Sequence, residues 1–166
     1  MYDFKPEAGS RPDELYRQLN DAVDAITADE PDGVANMANV ASLLWEFLPD
    51  LNWVGFYRVG PAKKDGASEL VLGPFVGRPA CIRIPLGQGV CGTAAASGET
   101  QLVADVHAFP GHITCDAASR SELVVPIVRD GEVIAVIDLD SPSPARFTPA
   151  DAKGLETVAQ MLCNRI

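Results

Sequence analysis

The chain has 166 residues, with 13 Lys+Arg against 23 Asp+Glu, so its formal net charge at pH 7 is −10. Affinity for nucleic acid rests mainly on neutralising phosphates, so an acidic excess of this size argues against DNA, RNA and anionic membrane surfaces as partners. With 47% hydrophobic and 22% charged residues the composition is that of a folded chain, expected to form one domain with a real core.

Ser10, Pro12 and Asp13 predict a helix start, and Leu15, Leu19, Ala22, Val23 and Ile26 recur behind them at helical spacing. After the break Asp29-Glu30-Pro31-Asp32-Gly33, a second helix carries Val34, Met37, Ala38, Ala41, Leu44, Trp45 and Leu48 on one stripe and stops before Pro49. Two strand-rich runs follow, Trp53 to Val59 and Glu69 to Val76, joined through the polar turn Pro61 to Gly66. Cys81 to Pro85 reads as a short strand, and Gly87-Gln88-Gly89 opens a small-residue helix, Val90 to Ser97, closed by Gly98. Gln101 to Val106 is a further short strand, and His107 to Arg120, lacking either period, is a long loop of the kind that carries function. Ser121 to Val128 and Glu132 to Asp140 are strands joined through Arg129-Asp130-Gly131. Thr148, Pro149 and Asp151 then start a last helix, whose apolar stripe is Leu155, Val158, Ala159, Leu162 and Ile166. Consecutive hairpins with helices before and after predict an α+β fold, an antiparallel sheet flanked by N-terminal and C-terminal helices.

Asp138 and Asp140 are two apart on the last strand and share a face. Whether Glu122 joins them depends on the turn. A two-residue Asp130-Gly131 turn pairs Arg129 with Glu132 and sends Glu122 to the opposite face, whereas a three-residue loop with a bulge at Gly131 sets Glu122 directly opposite Asp138. Clustered like charges destabilise a sheet unless a cation, a shared proton or open water accompanies them. Both a solvated hairpin end and a pocket for an ammonium group, a metal ion or a protonatable oxygen fit the pattern.

Four cysteines, Cys81, Cys91, Cys115 and Cys163, form no CxxC pair, which excludes a zinc ribbon or a thioredoxin motif. Cys115, in the Gly- and Ser-flanked loop, reads equally as a nucleophile or as an inert loop thiol. Cys91 begins a helix, where the dipole lowers a thiol pKa and favours a reactive or resolving sulfur; the alternative is a small buried residue beside Val90. Cys163 falls beside an apolar stripe and reads as packing. Cys91, His107, His112 and Cys115 are zinc-ligand types whose spacings match no short structural pattern. Met1 to Glu14 carries neither a basic nor an apolar signal region, and no apolar run approaches the ~20 residues that span a bilayer, so a cytoplasmic location is expected.

The segments Asn52-Trp53-Val54-Gly55-Phe56-Tyr57, Leu72-Gly73-Pro74-Phe75, Cys81-Ile82-Arg83-Ile84-Pro85, Gly89-Val90-Cys91-Gly92-Thr93, Val106 to Ile113, Cys115-Asp116, Ser121 to Pro126 and Leu139-Asp140-Ser141-Pro142 resemble the free methionine-(R)-sulfoxide reductases, which are stand-alone GAF domains. The resemblance implies one GAF-like domain over residues 1–166, with the N-terminal helices in 1–50 and the sheet, catalytic loop and C-terminal helix in 51–166. It implies that Cys115 attacks the sulfoxide sulfur and becomes a sulfenic acid. Cys81 then condenses with it to a disulfide, Cys91 is a second or alternative resolving thiol, and thioredoxin regenerates the dithiol. Trp53 and Tyr57, four apart on a strand, form an aromatic wall, while Glu122, Asp138 and Asp140 bind the substrate's ammonium group and protonate its oxygen. No cofactor or metal is expected beyond thioredoxin as electron donor, and a homodimer is compatible with the sequence. The alternative is a non-enzymatic GAF sensor of a small ligand or of redox state; an acidic pocket disfavours cyclic nucleotides.

Overall fold

The computed structural model describes residues 3–63, 66–111 and 117–166. Helix α1 spans Pro12–Thr27 and α2 spans Gly33–Phe47. Ser10 does not cap α1: its hydroxyl donates to the Glu7 carbonyl at 2.8 Å, Arg11 takes the cap position, and Pro12 starts the helix with its φ already set. Asp32 caps α2, accepting from the Val34 and Ala35 amides at 2.9 Å each. The buried face of α2 is turned from the expected stripe. Met37, Ala41 and Leu44 are inside as predicted, but Asn36, Val40, Leu43 and Phe47 complete the face, while Val34 and Trp45 are 55% and 40% exposed. The helix is apolar around most of its circumference, so periodicity left its phase open. Asn36 goes inward because its amide donates to the Glu30 and Arg165 carbonyls.

The strands are β1 Trp53–Pro61, β2 Ser68–Gly77, β3 Arg83–Pro85, β4 Gln101–Val103, β5 Ser121–Arg129 and β6 Glu132–Ser141, in one antiparallel sheet ordered β3-β2-β1-β6-β5-β4. Between them lie α3, Gly89–Ser97, with Gly98 as its left-handed cap, and a short 3₁₀ turn, Val106–Ala108. β3 and β4 are each shorter than expected. β4 ends where the Ala104 carbonyl turns away to accept from the Ala145 amide. The last helix, α4, Pro149–Leu162, has the predicted capping box between Thr148 and Asp151.

Strand alternation divides the molecule into two cores. Val54 and Phe56 of β1, Leu123, Val125 and Ile127 of β5, and Ala135, Ile137 and Leu139 of β6 face α1, α2 and α4. Trp53 and Tyr57, Val124 and Val136 point the other way, into a smaller core under β3 and α3. Glu122, Asp138 and Asp140 follow the second parity, so they lie on the small-core face.

The β5–β6 hairpin resolves the question of the turn in a way neither sequence alternative anticipated. The turn has two residues, with Arg129 opposite Glu132, and Asp130 and Gly131 both adopt positive φ, 54° and 84°, as a tight primed turn requires. By itself this would put Glu122 on the wrong face. A bulge then intervenes: Val128 pairs with Val133 but Ile127 pairs with Ala135, leaving Ile134 as the extra residue. From there on the register has Glu122 opposite Asp140 and Val124 opposite Asp138. All three carboxylates share a face, with Glu122 opposite Asp140 rather than Asp138. No helix among the described residues is long and apolar enough to cross a membrane.

Candidate active site

Glu122 from β5 and Asp138 from β6 are each only 6% exposed, which rules out a solvated hairpin end for these two; Asp140 is half-buried at the margin. Helix α3 covers them and brings the Cys91 thiol, itself 4% exposed, to 3.9 Å from Glu122 Oε1. Ordinary ionisation is unfavourable in such a place, because burial removes water and the neighbouring carboxylates repel one another. Burial, followed by the charges of Asp138 and Asp140, holds the Glu122 carboxyl well above the usual range. Burial also pushes Asp138 up to about 7. Asp138 Oδ1 is buried without a hydrogen-bond partner.

Cys91 departs from the sequence-based expectation. It does lie in the first turn of α3, but burial and then the charges of Asp138 and Glu122 push its thiol pKa up rather than down. A helix N-terminus favours an anion by only about 0.3–1 kcal/mol at exposed positions, which is too little against desolvation beside two carboxyl groups. One donor atom from each of Cys91, Glu122 and Asp138 lies within 4.8 Å of the others, a set that could hold a metal ion among the described residues. The same burial that gathers these groups raises their affinity for protons, Asp138 to about 7 and Glu122 and Cys91 well above their ordinary ranges.

Beside the cluster stands an aromatic wall. Trp53 stacks on Tyr57 with ring centroids 5.9 Å apart and on Phe75 at 5.3 Å. The Trp53 indole Nε1–H donates to the Arg78 carbonyl at 3.1 Å, and the Tyr57 hydroxyl donates to the Cys81 carbonyl at 3.0 Å. Two buried aromatic residues therefore tether the segment between β2 and β3. Trp53, Tyr57, Arg78, Pro79, Ala80, Asp138 and Asp140 line a narrow cleft of about 10 Å³, room for about one water. Gly55, directly opposite Asp138, puts no side chain between the aromatic rings and that carboxyl.

The structure thus brings together Trp53, Tyr57, Cys91, Glu122, Asp138 and Asp140, and hangs half-buried Cys81 from the same wall. Cys115, with His112, lies outside the described residues. Cys163 sits at the end of α4 against the larger core, as its packing role predicts. It lines a separate groove of about 610 Å³ with Thr100, Pro126 and Glu156. His107 is exposed and bound to Asp105, its Nδ1 2.9 Å from Oδ1. Gly55 and Phe75 stand in segments that carry the family resemblance but were given no role at the site, and Arg78 was not singled out. Only strand pairing reveals the first two, and nothing local marks Arg78.

The GAF domain family model matches residues 32–166. The Bacillus subtilis protein YtsP is 48% identical over 98% of this chain and 96% of its own length. The free methionine-R-sulfoxide reductase of Escherichia coli is 48% identical over 89% of this chain and 87% of its length. The X-ray structure of free methionine-R-sulfoxide reductase from Neisseria meningitidis in complex with its substrate superposes with a TM-score of 0.90 at 44% identity, covering 99% of this chain and 95% of that one. With both cores, the six-stranded sheet and the sequence matched over nearly their full extent, the chain belongs to the GAF-domain family and, within it, to the free methionine-R-sulfoxide reductases.

Proposed function

We propose that this protein reduces free methionine-R-sulfoxide to methionine at the cleft between the aromatic wall and the carboxyl cluster, with thioredoxin as the source of electrons. The observation that carries this reading is the buried Asp138 carboxyl, which lines a cleft walled by Trp53 and Tyr57 and is backed by Glu122 and Cys91, one donor atom of each within 4.8 Å of the others; burial raises the proton affinity of both carboxyls. A sulfoxide oxygen accepts hydrogen bonds strongly, and a proton delivered there withdraws electrons from sulfur. The aromatic faces suit the methyl and methylene groups, and Asp140 at the cleft margin suits the ammonium group of a free amino acid.

In this mechanism the Cys115 thiolate attacks the sulfoxide sulfur. Two electrons pass from the cysteine sulfur to the substrate, the oxygen ends on Cys115 as a sulfenic acid, and methionine leaves; Glu122 or Asp138 supplies the proton to the oxygen. The Cys81 thiol then attacks the sulfenic sulfur, expelling water and forming a disulfide, which thioredoxin reduces by exchange. The raised pKa of Cys91 makes it the poorer nucleophile of the two partner thiols and favours Cys81 for this step, with Cys91 as a proton-bearing neighbour of Glu122.

The test is NADPH oxidation coupled through thioredoxin and its reductase, with free methionine-R-sulfoxide, its S epimer and an N-blocked peptide analogue compared. Turnover of the free R form alone is expected, with Glu122→Gln lowering kcat by roughly 10²–10⁴-fold. Absence of turnover in the native protein, with methionine sulfoxide still bound, would instead favour a non-catalytic sensor.

A further inference from the structure

Resting on the reductase reading, one requirement of a free amino acid is left unmet by the carboxyl cluster, and we propose that Arg78 meets it by binding the substrate's α-carboxylate. A zwitterion carries its carboxylate on the carbon that bears the ammonium group. The acidic groups that attract one end therefore repel the other unless a cation stands nearby. Among the described residues that line the cleft, Arg78 is the only cation, and it shares that lining with Asp138 and Asp140.

Its place is fixed by the backbone. Strand β2 ends at Gly77, whose φ of +136° suits glycine, and a Cβ there would stand 2.6 Å from Trp53 Cδ1 and 2.9 Å from the Asn52 carbonyl. The chain consequently crosses directly over the Trp53 edge, where the indole N–H holds the Arg78 carbonyl. The anchoring bond uses the Arg78 main chain, which leaves its exposed side chain available. In this acidic protein Arg17, Arg83, Arg146 and Arg165 each pair with a carboxylate, whereas Arg78 has no ion-pair partner among the described residues. A guanidinium matches a carboxylate in two parallel hydrogen bonds. Asp140 and Arg78 would thus read the two charged groups of a free amino acid, and a residue inside a peptide offers neither.

Steady-state turnover by the full chain tests this with two substrates, free methionine-R-sulfoxide and its α-amide, which keeps the ammonium group and loses the carboxylate. The native protein is expected to prefer the free acid. Arg78→Ala should raise KM for the free acid by about 10- to 100-fold with little change in kcat, and KM for the amide by far less, since a neutral amide carbonyl accepts only a weaker bond from the guanidinium. Arg78→Lys should recover part of the loss. Equal loss on both substrates, a fall in kcat alone, or no preference in the native protein overturns the assignment. Absence of turnover with either substrate overturns the reductase reading itself, and the assignment with it.

Discussion

Replacing Asp138 with Asn separates the stability of the site from its chemistry. In the folded protein burial moves the Asp138 carboxyl from 3.8 to about 7, and this gap corresponds to about 4 kcal/mol at most. The folded-state pKa lies above the unfolded one, so between these values the native protein holds a proton that the unfolded chain has released. The stability this group contributes is therefore fully present below about pH 4 and lost as pH rises through about 7. An amide at the same position does not titrate. Urea unfolding of the native protein and Asp138→Asn, at about pH 5 and about pH 8, should show the variant gaining on the native protein by about 3 kcal/mol between the two conditions. Comparing the two proteins cancels the titrating groups remote from the site and leaves Asp138 together with Glu122 and Cys91, which respond to its charge. Under the proposed mechanism turnover should fall in the same variant, because an amide cannot deliver a proton to the sulfoxide oxygen, so the variant gains relative stability with rising pH as it loses activity. A stability difference that stays constant within about 0.5 kcal/mol, or that grows in the opposite direction, would refute the placement of Asp138 as a buried, proton-holding carboxyl.

Further predictions concern the thiols, the hairpin and a helix cap. In native protein at mildly alkaline pH, mass mapping after brief alkylation should find Cys81 labelled about tenfold or more ahead of Cys91, since burial both hides the Cys91 thiol and keeps it protonated; comparable labelling counts against the assignment of Cys81 as the resolving thiol. Deleting Ile134 removes the bulge without moving Glu122 off Asp140, because Val128–Val133 and Ile127–Ala135 become consecutive pairs. The folded deletion variant should keep its turnover, and a loss matching that of Glu122→Ala would contradict the register. Thr148→Ala removes the hydroxyl half of the α4 capping box, the acceptor of the Asp151 amide, and should lower the unfolding free energy by about 1 kcal/mol, read from the urea midpoint at constant slope.

Much of this fold was legible in the sequence because its signals are local. The Thr148 capping box, the Asp130-Gly131 turn and the alternating apolar residues of β5 and β6 each act within a few residues. The phase of α2 was not, because Asn36 is drawn inward by carbonyls of Glu30 and Arg165, one of them 129 residues away. The shared face of the three carboxylates was anticipated under one turn geometry, yet the structure reaches it with the other turn and a bulge. A bulge leaves no mark in composition, since Ile134 reads as any strand residue. The pKa direction at Cys91 was missed for a related reason: its helix dipole is local, but the burial that overrides it, and then the charges of Asp138 and Glu122, come from packing against strands β5 and β6. Arg78 escaped notice because its significance depends on β2 ending against Trp53.

Strand alternation in this sheet has a consequence for how mutations should read out. Along β5 and β6, the odd-numbered positions 123, 125, 127, 135, 137 and 139 support the three large helices, while Glu122, Asp138 and Asp140 at even positions lie on the opposite face, where Asp138 and Asp140 line the cleft. On β1 the numbering is reversed, with Val54 and Phe56 supporting the helices and Trp53 and Tyr57 serving the cleft. A substitution scan scored separately for abundance and for turnover should yield two profiles of period two that run out of step. Selection can thus tune substrate chemistry on one set of side chains while the folding determinants, one residue away on the same strands, stay unchanged.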